Sequence, residues 1–177
     1  MRTTVFSLLM VTAFGIQAQE PEPKVADANP KIDYPAFIAL SSEVAKIREK
    51  RRISEDEFLR MAAEEGTVIL DTRSRANFEK LHVKGAIHLN FSDFTKETLA
   101  AAIPDKTTRI LIYCNNNFED AGEAMLLKSK PLALNIPTFI NLYGYGYENL
   151  YELAPYLKMG ETKIPFEGTD VLKPDEK

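Results

Sequence analysis

Cysteine is almost missing from this chain: Cys114 is the only one among 177 residues. A disulfide within the chain is excluded, so that thiol is a buried inert side chain, half of an intermolecular bridge, or a free reactive group. Histidine is nearly as scarce, with His82 and His88 alone. Two histidines and one cysteine without ligand spacing give no metal site, and no cofactor is expected. A dense basic run is also lacking. The formal charge is −4, and the one cationic cluster, "REKRR" at 48–52, sits among glutamates and reads as a solvated helix face. Nucleic acid is therefore not an expected partner. No arginine occurs after Arg109. No apolar run reaches the roughly 20 residues that a membrane-spanning helix needs, and no internal repeat is visible.

What is there fits one domain with tails: 45% hydrophobic and 27% charged residues are ordinary for a globular fold. Arg2 followed by the apolar stretch "VFSLLMVTAFGI" (5–16) has the form of an export signal over residues 1–18, with cleavage after Ala18. That reading predicts a periplasmic or secreted protein without a membrane span after cleavage. Residues 19–35 are polar and proline-rich and read as a flexible linker. The domain is expected over 36–157, opening with a helix at 36–50. Ser54 and Glu57 form a capping-box pattern for the next helix. Short strands are expected at 67–70, 85–90, 109–113 and 148–153. Helical patterns lie between them at 75–81 and 94–103, the latter capped by Ser92 or Asp93, and at 135–146, capped by Asn135. Such alternation predicts an α/β fold with a mostly parallel sheet covered on both faces. Residues 158–177 are polar with scattered prolines and read as a loose surface tail.

Four segments, in this order, carry a resemblance: "VILDTRS" (68–74), "FEKLHVKGAIHLN" (78–90), "RILIYC" (109–114) and "GYENLYEL" (146–153). Together they are similar to the rhodanese-like domain, over residues 54–157. The resemblance implies a central, mostly parallel sheet with helices on both faces. It also implies that Cys114, at the carboxyl end of its strand, accepts a sulfane sulfur as a persulfide and passes it to a thiol acceptor. Ligands of parallel sheets bind beyond those strand ends. Backbone N–H groups and a helix N-terminus placed there stabilise a thiolate.

The sequence departs from the family where the chemistry lies. In sulfur-transferring members a compact loop with glycine, serine and arginine leads from the cysteine into a helix. Here the loop is "NNNFED", without glycine or arginine, and about twenty residues (115–136) separate Cys114 from the expected helix. Part of that excursion, 119–128, could form a short helix of its own. Asn115, Asn116 and Asn117 read either as side-chain donors to sulfur or as a polar turn after the strand. Arg73 and Arg75 are the nearest candidates for positive charge beside the pocket. Glu119 and Asp120 are expected to raise the thiol's pKa and to repel a dianion such as thiosulfate. Asp71 and Arg73 are expected to pair or to brace neighbouring loops. Two functions follow. One is a sulfurtransferase or persulfide carrier using Cys114, a sulfane-sulfur donor and a thiol acceptor. The other is a non-catalytic module whose 115–136 excursion binds a protein partner in the envelope. An exposed sulfur with N–H groups aimed at it favours the first, and a buried sulfur packed by aliphatics the second.

Overall fold

The computed structural model describes residues 29–171. The export signal read over 1–18, the linker up to residue 28 and the last six residues lie outside that range. A helix, α1 (Tyr34–Glu49), leads into the edge strand β1 (Arg52–Ile53) and then α2 (Glu55–Ala62). Next come β2 (Thr67–Asp71), α3 (Arg75–Lys80), β3 (His82–Val83), β4 (Ile87–His88) and α4 (Lys96–Ala102). The central strand β5 (Arg109–Ile112) follows, then the two-residue β6 (Phe118–Glu119), α5 (Asn135–Gly144) and β7 (Leu150–Leu153). Two short strands, β8 (Leu157–Lys158) and β9 (Phe166–Glu167), close the described chain.

The main sheet is parallel throughout, in the order β1-β7-β5-β2-β4. Its strands alternate between two buried faces, as period-2 geometry requires. Ile110 and Ile112 of β5 meet Val44 of α1, Leu99 of α4 and Phe139 of α5 on one face. Leu111 and Tyr113 meet Phe58 and Met61 of α2, with Leu153, on the other. The expected α/β architecture is thus present, with β5 at its centre and Cys114 directly after it.

Local starts and stops follow capping chemistry. Ser54 caps α2 by accepting from the Glu57 N–H at 3.2 Å, as its pattern predicts. α4 starts later than expected: Asn90 caps a 3-10 turn over Phe91–Asp93, and Thr95 and Thr98 then form a reciprocal cap. α1 begins at Tyr34, inside the stretch read as linker. The "REKRR" run is not one solvated helix face. Arg48 holds the buried Glu152 carboxylate through two 2.5 Å contacts, Arg51 lies over the Tyr151 ring and Arg52 belongs to β1. The tail is tied down as far as Asp170, whose N–H, like that of Thr169, donates to the backbone of α3. β8 pairs with β6, β9 pairs with β3, and Ile164 is buried in the core between them. Polar composition hid this, because only Ile164 and Phe166 of that segment needed to be apolar.

A buried ion pair braces the carboxyl end of β2. Arg73 donates to both Asp71 carboxylate oxygens, and also to the backbone carbonyls of Leu81 and Ala124 at 2.5 and 3.0 Å. Tyr113, the residue before the cysteine, donates its hydroxyl to Asp71 and accepts the Val83 N–H. Breaking a buried pair leaves an uncompensated charge, at a cost of about 3–5 kcal/mol. Arg73→Ala is therefore expected to lower unfolding stability by about that amount, read from urea midpoints. Arg75→Ala, at an exposed position, should leave the midpoint in place.

Candidate functional site around Cys114

Cys114 continues the extended course of β5, with φ −149° and ψ −177°. The chain then turns through Asn115–Asn117 and leaves the sheet. It forms no helix of its own over 119–128, only a 3-10 turn at Glu123–Met125, and a second at Lys130–Leu132. The excursion returns at Leu134, where α5 begins. Leu134, not Asn135, occupies the cap position. The Asn135 side chain is pulled inward instead, donating to Asn117 Oδ1 at 3.0 Å.

This return builds an amide cradle. The backbone N–H groups of Asn135, Asn116 and Leu134 lie where they favour the anionic form of the Cys114 sulfur. Two of those donors are the first N–H groups of α5, whose partial positive charge points at the sulfur. The sulfur is also closed off: Cys114 is 1% exposed. The thiol's pKa is therefore set by competition. Burial pushes it up, the three N–H groups pull it down, and the buried Glu152 carboxylate adds to the rise. Burial wins, and the thiol stands above its ordinary value.

The asparagines form the polar turn after the strand, and their side chains are not the donors to sulfur. Asn117 Oδ1 accepts the Cys114 N–H at 2.9 Å, and its amide donates to the carbonyls of Leu153 and Pro155 at 2.8 and 3.1 Å. One side chain thus ties the ends of β5 and β7 to the start of α5. Asn115 donates to the Leu126 carbonyl, and Asn116 pairs with the backbone of Lys128 in both directions. All three amide groups are spent on backbone oxygens. The groups that favour the sulfur anion are main-chain N–H groups.

Neither arginine supplies free charge to the sulfur. Arg73 is buried and committed to Asp71 and two carbonyls. Burial works against its charge, but Asp71 and then Tyr113 outweigh it and hold its pKa up. Arg75 lies exposed on α3, 3.9 Å from Glu79. The acidic residues also fall elsewhere. Glu119 sits in β6 beside β8, and with Asp120 its charge acts on the Tyr156 phenol. The carboxylate bearing on the thiol is Glu152, from β7. Among the described residues no cluster of three or more histidine, cysteine, aspartate or glutamate side chains could hold a metal.

Sequence reasoning missed Leu134 and Asn135 as sulfur donors. Their signal was present: an Asn-x-Pro helix start following a cysteine at a strand end. Thr72 and Thr138, whose buried hydroxyls meet at 2.9 Å, also fasten α5 to β2 and were not singled out.

Two outcomes check this geometry. Asn117→Ala strands the Cys114 N–H and the Leu153 carbonyl, so it should cost about 1–3 kcal/mol per orphaned group in chemical denaturation, and Asn116→Ala distinctly less. A raised thiol pKa keeps the proton on the folded chain at pH values where the unfolded chain has lost it. Its contribution to stability is thus complete below the ordinary thiol pKa and is lost as pH climbs through the raised one. Alkylation of Cys114 by iodoacetamide should accordingly be slower at pH 8 than in the urea-unfolded chain. It should rise about tenfold per pH unit up to the raised pKa.

A family model described as Rhodanese-like domain matches residues 54–154. Over 61 residues the chain is 37% identical to the thiosulfate sulfurtransferase PspE of Escherichia coli (strain K12), covering 34% of this chain and 57% of that protein. Over 75 residues it is 31% identical to a tRNA sulfurtransferase of Thermoplasma acidophilum, covering 42% of this chain and 14% of that protein. The chain thus spans little more than half of one of these relatives and a small part of the other. Among solved structures, a rhodanese-like domain from Anabaena sp. aligns with a TM-score of 0.48 at 19% identity, over 70% of this chain and 84% of that one. With a family model covering more than half of its length, and a parallel sheet that delivers Cys114 at the end of its central strand, the chain belongs to the rhodanese-like domain family.

Proposed function

We propose that this protein is a persulfide carrier or sulfurtransferase whose sulfur-accepting atom is Cys114 Sγ. The observation that carries this reading is the set of three backbone N–H groups on that sulfur, two of them from the α5 N-terminus. A sulfur atom packed only as core filler has no use for such donors, whereas a thiolate or persulfide anion does. The similarity to two sulfurtransferases points the same way. The apolar stretch at 5–16 supports a site of action outside the cytoplasm.

The exchange balances without an outside oxidant. A donor R–S–SH gives its outer sulfur to Cys114. A new S–S bond forms to Sγ, the donor's S–S bond breaks, and the leaving thiolate takes the proton that the cysteine gives up. An acceptor thiol reverses the sequence and leaves as R′–S–SH. The backbone N–H groups stabilise the sulfur anion that forms in passing at each exchange. A persulfide or polysulfide donor suits this site better than thiosulfate. The Arg73 guanidinium is already committed to Asp71, and Glu152 adds negative potential.

Burial of the sulfur and its raised pKa favour the second reading, a non-catalytic binding module in which Cys114 survives as a core residue. Intact mass separates the two. Incubation with polysulfide should add about one sulfur mass to the wild type and none to Cys114→Ala, with thiosulfate less effective. No adduct from either donor would overturn the enzyme reading in favour of the binding module.

A further inference from the structure

The excursion between Cys114 and α5 presents apolar side chains to solvent. Leu126, Leu127 and Leu132 are 67%, 56% and 67% exposed. A groove of about 540 Å³ runs along its first half, floored by Phe118 and Met125 and edged by Leu126 and Leu127. The only charged residues lining it are Asp120 and Glu123. Both stand in solvent, and Asp120 is held at φ 59°, a conformation that few residues other than glycine, asparagine and aspartate adopt readily. Lys128 and Lys130 follow in sequence but do not line the groove. An exposed leucine edge beside acidic residues is complementary to apolar side chains carried between cations. The same charge disfavours an anionic membrane surface.

The groove is mechanically joined to the sulfur. The carbonyls of Leu126 and Lys128 are held by the side chains of Asn115 and Asn116, the two residues that follow Cys114. Behind them, Arg73 holds the Ala124 carbonyl. A group drawing on residues 126–128 therefore draws on the turn that directly follows Cys114, a residue only 1% exposed.

We infer that this groove docks a protein segment of apolar side chains flanked by lysine or arginine, and that this segment belongs to the protein exchanging sulfur with Cys114. The docking surface stands independently of the sulfur chemistry, and only its use in sulfur exchange rests on the reading above. A protein partner explains why the sulfur is closed in the free chain: the side chains that open it arrive with the substrate.

The test uses a fluorescent peptide, Lys-Lys-Leu-Gly-Leu-Lys-Lys, with a twin bearing glutamate for lysine and another bearing serine for leucine. Anisotropy should show saturable binding of the lysine–leucine peptide alone. Leu127→Ser and Glu123→Lys should each weaken it about tenfold, as expected for contacts at the centre of a docking site, and Cys114→Ser should leave it unchanged. The bound peptide should also speed alkylation of wild-type Cys114. Equal binding of either twin, no binding, or unchanged affinity in the groove variants would overturn the surface. Self-association abolished by Leu127→Ser would overturn it in favour of a second copy of this chain. Binding without faster alkylation would overturn the role in sulfur exchange. Failure of the sulfur reading itself would show separately, as a missing adduct in the intact-mass experiment.

Discussion

The site depends first on the buried Asp71–Arg73 pair. Two charges in the interior are costly unless each is nearly saturated with partners. Here the saturation is what organises the strand ends. Asp71 receives the Arg73 guanidinium, the Arg73 N–H and the Tyr113 hydroxyl. Arg73 in turn reaches Leu81, before β3, and Ala124, in the excursion. Tyr113 then reaches Val83. One ion pair thus fixes the end of β2, the residue before the cysteine, the turn before β3 and the inner edge of the excursion. The arginine that sequence read both as a brace paired with Asp71 and as a candidate charge beside the pocket is the brace, and its charge is already spent.

The thiol's environment follows from where that strut leaves the chain. Three neutral N–H donors stabilise an anion modestly, by about 0.5–1.5 kcal/mol each as net hydrogen bonds, more when the acceptor is charged. Removal of a sulfur anion from water costs several kcal/mol in a closed site. The sign of the balance is therefore set by closure, and the raised pKa of Cys114 reports a shut door more than a missing cradle. Any opening of that closure lowers the desolvation cost while the α5 N–H groups, held by helix geometry and by the Thr72–Thr138 contact, stay in place.

Much of the fold was legible because its signals are local or periodic. β2, β5 and β7 are short aliphatic runs, and Ser54 announced α2 through one side-chain bond. Cys114 was legible because it ends the central strand. What failed were inferences from residue type to partner. Asn115–Asn117 offered amide donors to sulfur in sequence, but nearby backbone carbonyls competed for them and won, since a buried unpaired carbonyl is itself costly. Glu119 and Asp120 are close to Cys114 along the chain, yet β6 carries them towards Tyr156, while Glu152 arrives from a strand nearly forty residues later. The polar segment 158–167 concealed two strands because a pair of two-residue ladders needs almost no apolar signature.

The long excursion replaces a short loop without losing the alignment of strand and helix, and this says what the turn after Cys114 has to provide. The sulfur needs N–H groups, and those come from any backbone that reverses direction beyond the strand and re-enters as a helix. Chain between the two points is then free to vary, because loop-closure entropy rises only slowly with length. Its added cost is met by the Asn115–Leu126, Asn116–Lys128 and Arg73–Ala124 bonds. Those bonds order the inner edge of the excursion, while its leucines remain unpaired on the outside. A segment ordered on one side and apolar on the other is what the proposed docking of a partner segment calls for. Core packing alone would have been served as well by a short polar turn.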